Sequence, residues 1–131
     1  MALELTIAAD HRNEYRIRTL VAGREVDLLV DSGFTQSQCL VGVELEAASY
    51  DVVRLRLRDR FDIQVQSGGG ELRWTESGIG SVEVVGLDSS LTYTPVARGA
   101  ANLLGVCYFH RLPAFHLSWD LAARTMTLRR S

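Results

Sequence analysis

The sequence predicts a small all-β domain: a closed barrel of short strands with one short helix near the C-terminus. Apolar residues alternate with polar ones through most of the chain, which is the period of a half-buried strand. Turn-forming clusters interrupt that alternation at Ala22-Gly23-Arg24-Glu25, Ser67-Gly68-Gly69-Gly70 and Gly86-Leu87-Asp88-Ser89. The 131 residues fit one domain, 1–131, with a real but small core that a second copy would help to cover.

Each element follows from the same pattern. Leu3, Leu5 and Ile7 share one parity and predict a first strand. Tyr15, Ile17, Thr19 and Val21 share another. With the return from Val26 to Val30 they predict a hairpin over 14–31. The segment from Val41 to Tyr50 fits a strand or a short helix equally well. Val53, Leu55 and Leu57, alternating with Arg54, Arg56 and Arg58, predict a strand with a solvated arginine face. A minority reading makes the row Arg54/Arg56/Arg58/Arg60 a patch for an acidic partner. Ile63 and Val65 continue the alternation, the glycine run breaks it, and Leu72 to Thr75 returns. Val82 and Val84, then Leu91 and Tyr93, predict two further strands. Leu103 to Leu112 reads as a short helix closed by Pro113. Phe115, Leu117 and Trp119 with Thr125 to Leu128 make a last hairpin, Trp119 facing the core or a dimer surface.

The bulk chemistry narrows the function classes. Hydrophobic residues are 47% and charged residues 23%, an ordinary mix for a soluble globular domain. Net charge is −2 without an acidic or basic half, which argues against coating a nucleic acid. No apolar run approaches the ~20 residues of a membrane-spanning helix. The start of the chain lacks the basic and apolar regions of a signal peptide. Cys39 and Cys107 lie far apart and form no ligand pair; both read as free thiols in a reducing, cytoplasmic setting. His11, His110 and His116 lack zinc-type spacing, so neither a metal nor another cofactor is expected.

One stretch departs from ordinary strand chemistry. In Leu28-Leu29-Val30-Asp31-Ser32-Gly33-Phe34-Thr35 an apolar run ends on a carboxylate, followed at once by a small hydroxyl residue and a glycine. Asp, Ser and Gly are also plain turn residues, and that is the bland reading. A carboxylate at the end of a buried strand is costly unless it is paired, hydrogen-bonded or functional.

This stretch resembles the signature of the retropepsin family, the retroviral-type aspartic proteases and their bacterial relatives. Asp31-Ser32-Gly33, with Ser37 a few positions on, is similar to the family's catalytic motif. Asn102-Leu103-Leu104-Gly105-Val106 is similar to its second motif, two aliphatic residues and a glycine before a short helix. Ser67-Gly68-Gly69-Gly70-Glu71-Leu72-Arg73-Trp74 lies where the family carries its flap, a hairpin that closes over substrate. The resemblance covers residues 14–128 and implies a retropepsin-type barrel. It implies that Asp31 is catalytic and that Ser32 and Gly33 support its loop. It places Phe34, Thr35, Ser67, Gly68, Gly69, Gly70, Trp74 and Leu104 on the floor and flap of a peptide-binding cleft. Phe34 replaces a usual small residue. Thr35 and Val106 replace an acid and an arginine that pair in viral members, so that ion pair is absent as a unit.

The chain has one Asp-Ser-Gly; Leu87-Asp88-Ser89-Ser90 lacks the glycine. The chemistry implied by the resemblance needs two carboxylates, so it implies a homodimer acting on a polypeptide, with Arg124 to Arg130 contributing to the interface. Two other readings stand beside it. One is a catalytically silent retropepsin-like dimer used for binding or assembly. The other is an unrelated β-barrel binding module in which Asp31 is a turn residue.

Overall fold

The computed structural model of the chain describes residues 3–31, 41–66, 70–111 and 115–130. Its strands are β1 (Glu4–Ala8), β2 (Arg16–Val21), β3 (Arg24–Asp31), β4 (Val43–Glu46), β5 (Arg58–Gln66), β6 (Leu72–Val84), β7 (Thr92–Gly99), β8 (Leu103–Gly105), β9 (Phe115–Asp120) and β10 (Thr125–Arg130). Helix α1 (Ala47–Val53) follows β4, and α2 (Val106–His110) follows β8.

Seven strands run in the order β2-β3-β8-β4-β7-β6-β5, and β2 also pairs with β6, so the sheet closes on itself in a ring. The ring's interior is the core. Ile17, Val21, Leu28, Val43, Leu45, Val82, Val84, Val96 and Leu104 fill it, every one at or near zero exposure. Tyr50 and Val53 of α1 and Tyr108 of α2 add to it from outside the sheet. A second sheet, β1-β10-β9, lays Met126 and Leu128 of its central strand against the same core.

Local chemistry explains the boundaries. The β2–β3 hairpin turns on Ala22 and Gly23, both at positive φ (49° and 84°), the geometry that matches the twist of a two-residue hairpin. Buried Thr19 is satisfied by donating its hydroxyl to the Val26 carbonyl at 2.8 Å.

Several sequence expectations change here. The open segment is split: Val43–Glu46 is strand and Ala47–Val53 is helix, so a second short helix joins the expected one. The alternation at 53–57 is the end of that helix and a 3-10 turn, Arg54–Arg56, with strand resuming at Arg58. The arginines are not a uniform solvated row. Arg54 pairs with Glu76, Arg56 donates to the Ala22 carbonyl at 3.0 Å, and Arg58 lies 5.0 Å from the Tyr93 ring centroid. Leu72 to Thr75 and the strand at Val82 are one continuous strand of 13 residues. Finally, Leu103–Gly105 is strand, and the helix starts only at Val106. Cys107 is buried and disulfide-bonded, which corrects the free-thiol reading; Cys39 lies outside the described residues.

Tyr108 ties α2 to the connection between β6 and β7. Its hydroxyl donates to the Ser90 carbonyl at 2.6 Å, and the Ser90 hydroxyl donates to the Val84 and Leu87 carbonyls. Burial pushes the Tyr108 phenol above its ordinary range. Tyr108→Phe leaves a buried carbonyl without its donor and is expected to destabilise the fold by about 1–3 kcal/mol in chemical denaturation.

Candidate active site

Asp31 is the last residue of β3, and what positions it is a parallel ladder. β3 pairs with β8 in the register Leu29↔Leu103, Val30↔Leu104 and Asp31↔Gly105. The two sequence motifs, distant along the chain, therefore lie side by side. Gly105 closes the arrangement by donating its N–H to the Gly42 carbonyl at 2.9 Å, and the Leu29 N–H donates to the Asn102 carbonyl at 2.9 Å. Gly42 has to be glycine in this packing, because a side chain there would overlap the Thr94 hydroxyl.

Strand parity decides which way each side chain faces. Leu28 points into the barrel and Val30 packs against the same core, so Leu29 and half-buried Asp31 face outward. Reading across the ladders, Leu29, Leu103, Glu44, Ala97, Ser77 and Phe61 are successive register partners. They put Asp31, Leu103 and the hairpin of β5 and β6 on one common face. Leu104, fully buried, supports the Asp31 strand from beneath; Leu103 shares its face.

The β5–β6 hairpin carries that face beyond the barrel. Ile63 and Val65 join Val41 and Ala97 in an apolar cluster separate from the main core. Val65 is paired with Arg73 and Ile63 with Thr75, so Arg73 and Thr75 lie on the same side. Trp74, 69% exposed, lies on the opposite side with Gln64. Gly70 has φ of 83°, a left-handed conformation suited to glycine at the hairpin's end. Ser32, Gly33, Phe34, Thr35, Ser67, Gly68 and Gly69 lie outside the described residues.

Two carboxylates were not singled out from the sequence, Glu44 on this face and Glu76 on the opposite face with Trp74. Glu44 Oε2 accepts from the Ala100 and Ala101 N–H groups, each at 3.3 Å, and so fixes the loop that leads into β8. Its side chain occupies the space where a Gly99 side chain would otherwise stand. Glu76 accepts from the Tyr50 hydroxyl at 2.8 Å and from Arg54 Nε and Nη2 at 2.7 and 2.9 Å. The Arg54 hydrogen bonds hold the Glu76 carboxyl below its ordinary value. Neither residue sits in a motif; each is an acid at a strand position, and only the register tells which face it occupies. Among the described residues there is no cluster of three or more side chains able to hold a metal ion.

No known family and no curated protein matches the chain by sequence. By structure it is similar to a retropepsin-like aspartic protease from Rickettsia conorii, over 97% of this chain and 99% of that one, with TM-score 0.62 and 16% identity. It is also similar to EIAV protease complexed with the inhibitor HBY-793, over 76% of this chain and 88% of that one, with TM-score 0.54 and 17% identity. The fold is retropepsin-like. At these identities the likeness is one of architecture. Within the retropepsin-like fold, the strand that ends on Asp31 and the Leu103-Leu104-Gly105 strand are neighbours.

Two outcomes follow. Gly99→Ala forces its new methyl into the Glu44 side chain and is expected to destabilise by about 1–3 kcal/mol in denaturant titration, an effect that Glu44→Ala relieves in the double variant. Because the folded Glu76 pKa is depressed, its contribution to stability is fully present above the ordinary value of 4.5 and is lost as pH falls through the lowered value. Melting temperature measured against pH should therefore fall less steeply in acid for Glu76→Gln than for the parent.

Proposed function

We propose that this protein is an aspartic endopeptidase whose catalytic pair is Asp31 and its copy in a homodimer. The observation that carries the reading is the position of Asp31: end of β3, register partner of Gly105, on the outward face shared with the β5–β6 hairpin. A polypeptide lying between that face and the hairpin would meet half-buried Leu103, with the buried cluster of Val41, Ile63, Val65 and Ala97 forming the layer beneath. The likeness to two proteases of the same architecture supports this reading.

The reaction needs two carboxylates sharing one proton. The ionised member takes a proton from water as the water attacks the peptide carbonyl carbon, and the protonated member donates to the carbonyl oxygen. Two like charges at that distance cannot both ionise, so the pair titrates in two separated steps. By the motif resemblance, Ser32 and Gly33 would support the Asp31 loop, and Phe34, Thr35, Ser67, Gly68, Gly69 and Gly70 would line the cleft. One carboxylate per chain makes the second copy part of the site. β10 lies between β1 and β9, so its backbone edges are both taken; contact by strand pairing falls to β1 or to β9, which carries half-exposed Trp119.

Purified protein incubated with an unfolded protein substrate across acidic pH should cleave it, with a bell-shaped pH profile. Asp31→Asn should reduce the rate at least about a thousandfold while leaving a folded dimer by mass measurement. Undiminished cleavage by Asp31→Asn, or a monomeric mass in an active parent, overturns the mechanism.

A further inference from the structure

The hairpin over the cleft has a definable root. β6 pairs with β7 from Ser77 to Val82 and with β5 from Leu72 to Ile79. Residues 72–76 thus have only β5 as a strand-pairing partner, and the hairpin leaves the barrel ladder between Glu76 and Ser77. On one side of that point the Thr75 hydroxyl donates to the Arg98 carbonyl at 2.7 Å. On the other, Glu76 collects the three short hydrogen bonds from Tyr50 and Arg54, with Arg60 Nε 4.0 Å away.

These donors are themselves fixed. The Tyr50 ring is fully buried in the core, so its hydroxyl emerges at one place. Arg54 sits in the 3-10 turn, where its carbonyl accepts from the Leu57 N–H at 3.1 Å and from Arg60 Nη1 at 3.1 Å. A carboxylate accepts all three bonds through two oxygens. A glutamine at the same place has one carbonyl oxygen, and its NH2 group would face a donor.

We infer that Glu76 is a positioning residue: its bonds to Tyr50 and Arg54 fix the angle at which the β5–β6 hairpin leaves the barrel and restrict hairpin motion to the part beyond residue 76. The consequence for catalysis rests on the protease reading; the mechanical claim does not. A hairpin with a fixed root meets substrate in one orientation, whereas a loose root spends binding energy on ordering the strands. The depressed pKa of Glu76 keeps this clamp charged in mildly acidic solution, where a shared-proton pair works.

Hydrogen exchange on the whole protein tests the clamp without requiring activity. In Glu76→Gln, amides of residues 62–66 and 71–76 should exchange about tenfold faster, with residues 78–84 unchanged. Tyr50→Phe, which keeps the ring and the Arg54 pair, should raise exchange in the same segments by a smaller factor. Unchanged exchange in both variants, or a rise spread evenly over the barrel, overturns the inference. With a cleaved peptide, Glu76→Gln should raise KM about threefold to tenfold and leave kcat within about twofold. An unchanged KM with a reduced kcat overturns the catalytic part. If the parent cleaves nothing, the protease reading fails and the exchange result alone decides the clamp.

Discussion

The parallel pairing of β3 with β8 is the constraint on which the site depends. Parallel neighbours cannot be joined by a tight turn, so the chain must build β4 to β7 before β8 can return beside β3. That detour becomes the rest of the barrel and the β5–β6 hairpin. The rung Asp31↔Gly105 is its end point, and Gly105 N–H to Gly42 carbonyl ties in the residue that precedes β4. Slipping the β3 register by one residue would turn Asp31 into the core and Val30 out of it, a change that burial of Leu28 and Leu104 resists.

The sheet works as a two-sided object. Its inner side is almost wholly aliphatic and supplies the stability of a small fold. Its outer side, at the positions between those core residues, carries Asp31, Glu44, Ser77 and Thr75. Polar groups there are affordable because water or a hydrogen-bond partner reaches them: Glu44 has two backbone N–H groups, Thr75 a carbonyl, and buried Ser77 the Val96 carbonyl at 3.2 Å. Stability and site chemistry are thereby assigned to alternate residues of the same strands, and a substitution on one side disturbs the other mainly through register.

Much of this was legible from residue order. The Ala22-Gly23 hairpin, the last hairpin and the pair of motifs around Asp31 and Gly105 each have a local signal, either period-two burial or turn chemistry. What was not legible was tertiary in origin. Val53, Leu55 and Leu57 alternate like a strand, yet Tyr50 and Val53 have to meet the core from a helix and Leu55 is 81% exposed. The Arg54 and Glu76 pairing joins elements that only the barrel brings together. Trp74 shows the same limit: an aromatic near a glycine turn suggests substrate contact, but only the Val65↔Arg73 register tells which side of the hairpin it occupies.

One acid per chain has a further consequence under the proposed mechanism. The catalytic pair exists only in the dimer, so the assembly equilibrium and the proton equilibrium are linked. Two carboxylates brought together in such a dimer would repel unless they held one proton between them. The elements that resist that repulsion cannot be the acids themselves. In the proposed dimer they would be the apolar support of the β3 and β8 ladder, buried Leu28 and Leu104, and whatever surface joins the two copies. Under the proposed mechanism the fold would hold a mutually repelling pair on two ladders, leaving the hairpins as the parts that yield to substrate.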